Sequence, residues 1–156
     1  MPKKIITLLL LNLAIITTSI AQPFNLDKKI KPVELKLLKF QPKDQPKGRL
    51  NVTKAYQLND TAYYYCKGLS IYGITQLTVA SKGSANLVSV TLHKDSWKKV
   101  SKNIPINKAR LYESSFKTEG SFGLRVVSKK APAVYNIYVW ASDDVKVKLP
   151  TAFKSK

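Results

Sequence analysis

The segment "AVYNIYVWAS", residues 133–142, reads as the strongest strand of the sequence. Branched and aromatic residues fill it, as suits a pleated and half-covered surface. Successive side chains of a strand point to opposite faces, so Tyr135, Ile137 and Val139 form one side and Asn136, Tyr138 and Trp140 the other. The first side reads as core, and the second is left to face outward.

The same alternation continues upstream from Arg49, with a breaker every ten residues or so. "GRLNVTKAYQL" (48–58) gives a strand that ends at the turn "ND". "AYYYCKGLSI" (62–71) gives another, and the change of register after it predicts a turn or bulge near Gly73. "TQLTVAS" (75–81) is followed by "KGS", and "ANLVSVTLHK" (85–94) puts Val88, Val90 and Leu92 on one face before "DSWKK". "RLYESSFKT" (110–118) leads through "EGS" to "SFGLRVVSK" (121–129), where Phe122, Leu124 and Val126 point one way and Arg125 the other. After residues 133–142, "VKVKL" (145–149) alternates valine with Lys146 and Lys148, like a guarded edge strand. No helix is needed, and the pattern is that of an all-β sandwich or barrel over residues 49–150, with a basic tail at 151–156.

Ahead of that domain, residues 22–48 form an arm or linker in which Pro23, Pro32, Pro42 and Pro46 recur among lysines and prevent a long helix. Within it "VELKLLKF" (33–40) sets Val33, Leu35 and Leu37 against Glu34 and Lys36, which predicts a short docking strand, with an amphipathic helical turn as the alternative. The first 21 residues show a basic start at Lys3 and Lys4, an apolar run from Ile5 to Ile16, and small residues at Ser19 and Ala21. That is the layout of a cleaved signal peptide, since the apolar run is shorter than the roughly 20 residues a membrane span needs. The expected mature protein begins at Gln22, carries no transmembrane segment and resides in the periplasm or outside the cell.

Without Lys3 and Lys4 the chain keeps 25 basic side chains against 9 acidic ones, and only Arg49, Arg110 and Arg125 are arginines. A lysine-rich surface attracts anionic polymers, lipid head groups or acidic proteins loosely, whereas specific oxyanion recognition tends to use the planar arginine fork. Export makes nucleic acid a poor partner. A single cysteine, Cys66, allows no internal disulfide, so the fold rests on its core.

Catalytic chemistry finds little support. Cys66 and His93 are the sole thiol and imidazole, and the strand faces place them on opposite sides of their sheets, so no nucleophile and base pair forms. One cysteine and one histidine fall short of a zinc site, and the scattered acids Asp60, Asp95, Asp143 and Asp144 fall short of the six to eight oxygens calcium takes. There is no Gly-x-Ser-x-Gly, phosphate loop or dinucleotide fingerprint. The expectation is a protein that is not an enzyme and needs no metal or cofactor.

Four stretches carry a resemblance: "NDTAYYYCKG", "ITQLTVAS", "LVSVTLHKDSWKKV" and "EGSFGLRVVSKKAPAVYNIYVWAS" with its Tyr135, Ile137 and Val139. Together, from about Gly48 to Ser142, they resemble the bacterial pre-peptidase C-terminal domain. The resemblance implies a single antiparallel, jelly-roll-like β-sandwich that serves as a non-catalytic accessory or binding module. No hydrolase is attached to it in this sequence.

Contacts are expected from the outward side of residues 133–142, where Asn136, Tyr138 and Trp140 would stack on sugar rings or anchor a partner protein, and from Trp97 among the lysines of its turn. Against this, Leu35, Leu37 and Phe40 of the arm could cover that face, and Trp97 could fold back on the sandwich. The functional expectation is an exported binding module for a glycan or an envelope protein. The alternative is a structural subunit of an envelope or secretion assembly, joined by strand addition.

Overall fold

The computed structural model describes residues 24–41, 47–81 and 88–142. The expected leader (1–21), the edge strand at 145–149 and the basic tail (151–156) lie outside the described residues. The regular structure of the described residues is entirely strand: β1 (Val33–Glu34), β2 (Leu38–Phe40), β3 (Gly48–Gln57), β4 (Thr61–Lys67), β5 (Thr75–Ser81), β6 (Val88–His93), β7 (Lys102–Ile104), β8 (Leu111–Phe116), β9 (Ser121–Ser128) and β10 (Ala133–Ser142). Among them no helix is long and apolar enough to cross a membrane.

The described strands form two five-stranded sheets, ordered β1-β4-β9-β6-β7 and β2-β3-β10-β5-β8. All pairings are antiparallel except that of β1 with β4. This is the all-β sandwich that the alternation required. The most apolar strands, β9 and β10, occupy the middle of their sheets, where a neighbour on each side satisfies every ladder group.

Period two decides what meets between the sheets. Phe122, Leu124 and Val126 of β9 face Tyr135, Ile137 and Val139 of β10, all without accessible surface, and Leu77, Val79 and Leu92 complete the centre. The burial of these side chains, at about 25 cal/mol per Å² of apolar surface, is the main force holding the sheets together. A polar chain crosses this core: Tyr64 donates to the Tyr135 hydroxyl (2.8 Å), Tyr135 donates to Gln57 Oε1 (2.7 Å), and Gln57 Nε2 donates to the Asn59 carbonyl (2.7 Å). A buried hydroxyl without a partner would cost stability, and here each has one.

The arm docks on the domain, through two short strands where one was expected. Leu35 and Leu37 turn to the core while Val33 is exposed: β1 pairs at the edge of the first sheet, Leu35 donates its N–H to the Tyr65 carbonyl (2.8 Å) and buries its side chain in the core, and β2 then pairs with β3 at the edge of the second sheet. The chain thus bridges from one sheet to the other and closes the open side with Leu35. Leu37 packs against the core, and Phe40 alone of the expected covering residues lies on the outer face. Upstream, Phe24 is buried and held by its N–H to Ser121 Oγ (3.1 Å), and Asn25 N–H bonds the Asp95 carbonyl (2.8 Å).

Gly73 lies in a bend between β4 and β5 and is buried against β10. A Cβ there would run into the Ser142 carbonyl oxygen, so close backbone approach fixes glycine at this position.

Candidate binding surface

The cross-strand register sorts the outer face of the second sheet into rows. Leu38, Leu50, Trp140 and Gln76 form one; Val52, Tyr138 and Thr78 the next; Lys54, Asn136 and Ala80 a third; Tyr56 and Val134 a fourth. Asn136 and Tyr138 are therefore outward, as the alternation predicted, and both are half-buried. Their neighbours on β3 stand higher: Val52 is 59% and Tyr56 66% exposed, with Lys54 between them, and Leu38 on β2 is 72% exposed. Such a run of apolar side chains on a sheet face has no role in the core it backs onto. The sequence carried its signal in the spacing of Val52, Lys54 and Tyr56 within "NVTKAYQ" (51–57), which assigns all three to one side.

Trp140 corrects the expectation. Its indole has no accessible surface and lies over Gly48 on β3, where a Cβ would come within 2.8 Å of Nε1 and 3.0 Å of Cε2. The missing side chain at Gly48 leaves the room for the ring to lie down on the sheet instead of projecting. Trp140 offers no contact surface, and the expected Tyr138 and Trp140 stacking platform does not form.

Trp97 is corrected likewise. Its turn folds back on the outer face of the first sheet, where the ring is buried edge-on against Phe24 (4.9 Å between centroids) and Tyr63 (5.0 Å) and beside His93 (5.6 Å). Gly123 of β9 is the floor: a Cβ there would meet Trp97 Cη2 and Cζ3 at 2.6 Å and Phe24 Cζ at 2.7 Å. Phe24, Tyr63, Tyr65 and Trp97 thus make a small second core outside the first sheet.

The thiol and imidazole lie on opposite faces of that sheet. Cys66 is in the central core, and burial, opposed by Arg49 and reinforced by Glu34, pushes its thiol up to about 12. A thiol held protonated in this way is no nucleophile. His93 points to the other side, under the Trp97 turn. Its Nδ1–H donates to the carbonyls of Lys99 (3.0 Å) and Ser96 (3.3 Å), and Nε2 accepts from the Thr91 hydroxyl (3.0 Å). Because carbonyls only accept, the proton belongs on Nδ1, and burial lowers the pKa below the ordinary histidine value.

An open cleft of about 540 Å³ lies where β7 leaves β6. Val88, Val90, Ile104, Ile106 and Tyr112 line it with Lys129, and its lining holds no carboxylate, thiol or imidazole. Among the described residues no three of His, Cys, Asp and Glu gather in a way that could hold a metal.

No protein-family profile matches the sequence. No curated protein matches it either. Solved structures do. The pre-peptidase C-terminal domain of collagenase from Bacillus anthracis is similar with a TM-score of 0.46 and 17% identity, over 57% of this chain and 87% of that one. PliG of Aeromonas hydrophila, a periplasmic lysozyme inhibitor of g-type lysozyme, gives 0.43 and 11%, over 72% and 96%. Its Salmonella Typhimurium counterpart gives 0.38 and 12%, over 72% and 99%. These likenesses concern fold alone.

Proposed function

We propose that the protein is an exported, non-catalytic binding module that holds an acidic envelope protein against the outer face of its second sheet. The observation that carries this reading is the exposure of Val52 and Tyr56 beside Tyr138 and Asn136, on paired strands of a rigid sheet with Lys54 between them. Aromatic and apolar side chains on such a scaffold supply contact area at little entropic cost, and the lysine excess steers an acidic partner toward them. A glycan fits the surface less well, because Trp140 is withdrawn and the tyrosines left to stack on, Tyr56 and Tyr138, lie in different rows.

The assembly-subunit alternative calls for strand addition through the arm or through the Lys146 edge strand, and the latter lies outside the described residues. Leu35 and β2 are instead used by the sandwich itself, and of the four edge strands β1, β2 and β7 have two or three residues, a common defence against pairing with other chains, while β8 has six.

Retention of envelope proteins on the immobilised protein, compared among the wild type, Val52→Asp and the double variant Tyr56→Ala/Tyr138→Ala, tests the proposal. The expected result is one acidic protein, released by salt and lost with both variants. Retention unchanged in both, or saturable glycan-array binding in place of a protein, overturns it.

A further inference from the structure

On the opposite side of the molecule, the outer face of the first sheet carries a cross-strand row of Tyr63 (β4), Arg125 (β9), Thr91 (β6) and Asn103 (β7). Arg125 is the one arginine on the two central strands of the sandwich. Its Nε has no accessible surface and no hydrogen-bond partner, and among the described residues no carboxylate pairs with the guanidinium. Among the described acids, Asp95 pairs with Lys99 and Glu34 with Lys67.

A guanidinium on a central strand with no carboxylate beside it among the described residues is an unusual arrangement in a chain with only two other arginines, whose charge rests mostly on mobile lysines. Strands neighbour one another at about 4.8 Å, so the row sets the Asn103 amide and the Tyr63 phenol on the strands flanking the Arg125 fork and its Thr91 neighbour. Thr91 already donates to His93, which leaves Asn103 and Tyr63 as the groups able to complete a shell around a bound oxygen.

We infer that Arg125, with Asn103 and Tyr63, forms a binding site for a single carboxylate on the outer face of the first sheet. One planar fork matches the two oxygens and the single negative charge of a carboxylate, and the row holds no second cation to balance a doubly charged phosphate or sulfate. His93 senses the site weakly, because burial is the main cause of its lowered pKa and the unneutralised Arg125 charge the smallest. A bound carboxylate cancels that charge and moves the histidine back up. The site is independent of the proposed partner surface, which lies on the other sheet.

Acetate titrated into the 15N-labelled protein at constant ionic strength, with chloride as the balancing ion, tests the assignment. Saturating shifts are expected at the Arg125 guanidinium and the Asn103 side-chain amide, with an upward move of the His93 pKa. Arg125→Lys, which keeps the charge and loses the fork, weakens acetate on the order of tenfold. Asn103→Ala, an exposed position, weakens it less and leaves the fold intact. Equal and linear drift in acetate and chloride, saturation unchanged in Arg125→Lys, or sulfate binding tighter than acetate overturns the site.

Discussion

The Tyr64 hydroxyl donates to the Tyr135 hydroxyl across the gap between the two sheets, 2.8 Å away, and Tyr135 passes the chain on to Gln57 at 2.7 Å. This is the only described side-chain hydrogen bond that joins a β4 residue to a β10 residue, and it lies among side chains with almost no access to water. Burial raises both phenol pKa values, so the pair stays protonated wherever the fold persists.

Removing one hydroxyl therefore costs more than one hydrogen bond. Tyr135→Phe leaves Gln57 Oε1 without its donor and Tyr64 without its acceptor, and about 2 kcal/mol of stability is expected to be lost. Tyr64→Phe removes only the first donor and costs less. Urea unfolding of both variants checks the order, and a smaller loss in Tyr135→Phe than in Tyr64→Phe contradicts the direction of the chain.

Gly123→Ala drives a methyl into Trp97 and Phe24, whose ring atoms stand 2.6 to 2.7 Å from the new Cβ. The ring ends can tilt, but only by leaving the face they cover. A loss of about 1 to 3 kcal/mol is expected, as for other overpacked sites. Trp97 then becomes accessible to a collisional quencher while Trp140 does not. Unchanged quenching shows that the small aromatic core tolerates the methyl.

The strands with long alternation, β3, β5, β6, β9 and β10, were legible because one side of each had to be apolar for the sheets to meet. β7 was missed: "KNI" is too short to show a period and forms because β6 offers it a ladder. Outwardness of Asn136 and Tyr138 followed from the same period. Burial of Trp140 did not, since it depends on a glycine brought alongside by the β3 and β10 register. Similarly, Trp97 is buried because Gly123 and Phe24 meet it from distant parts of the chain. Alternation reports which side a residue takes, and tertiary neighbours decide whether that side is open.

Cys66 should be inert to thiol reagents in the native protein near neutral pH. Its pKa stands at about 12, with burial the main cause, and the core around it admits no reagent. Labelling is expected only at the rate of unfolding, rising steeply with urea. Fast labelling without denaturant places the thiol at the surface and contradicts the core assignment.

Deleting residues 23–47 now predicts unfolding, where a free arm would have left the domain intact. The deletion takes Leu35 from the core, Phe24 from above Gly123 and β2 from the sheet edge. Truncating Leu35 alone to alanine is expected to cost about 2 to 5 kcal/mol, the range for a buried leucine. Thermal melts of Leu35→Ala and of the exposed control Leu38→Ala separate core anchoring from a general need for the arm, and equal melting points contradict the bridge.

His93 sets the response to mild acid. In the fold its Nδ1–H is committed to two carbonyls, and Nε2 accepts from Thr91, so a second proton must displace that hydrogen bond in a buried site already facing Arg125 on β9. Lys94 and Lys99 lie in the same turn region, with Asp95 as the acid closest in sequence, and Asp95 is drawn to Lys99. The folded pKa is thus below the ordinary 6.5, while the unfolded chain titrates near that value. Below pH 6.5 the unfolded state binds more protons, so stability that is fully present above this pH is lost as pH falls toward the folded pKa, and the loss levels off beneath it. Unfolding free energies measured at intervals from neutral pH into mild acid should show this slope in the wild type and a flatter one in His93→Gln, whatever the latter's absolute stability. Identical slopes in the two proteins would show that His93 takes up its proton as readily in the fold as outside it.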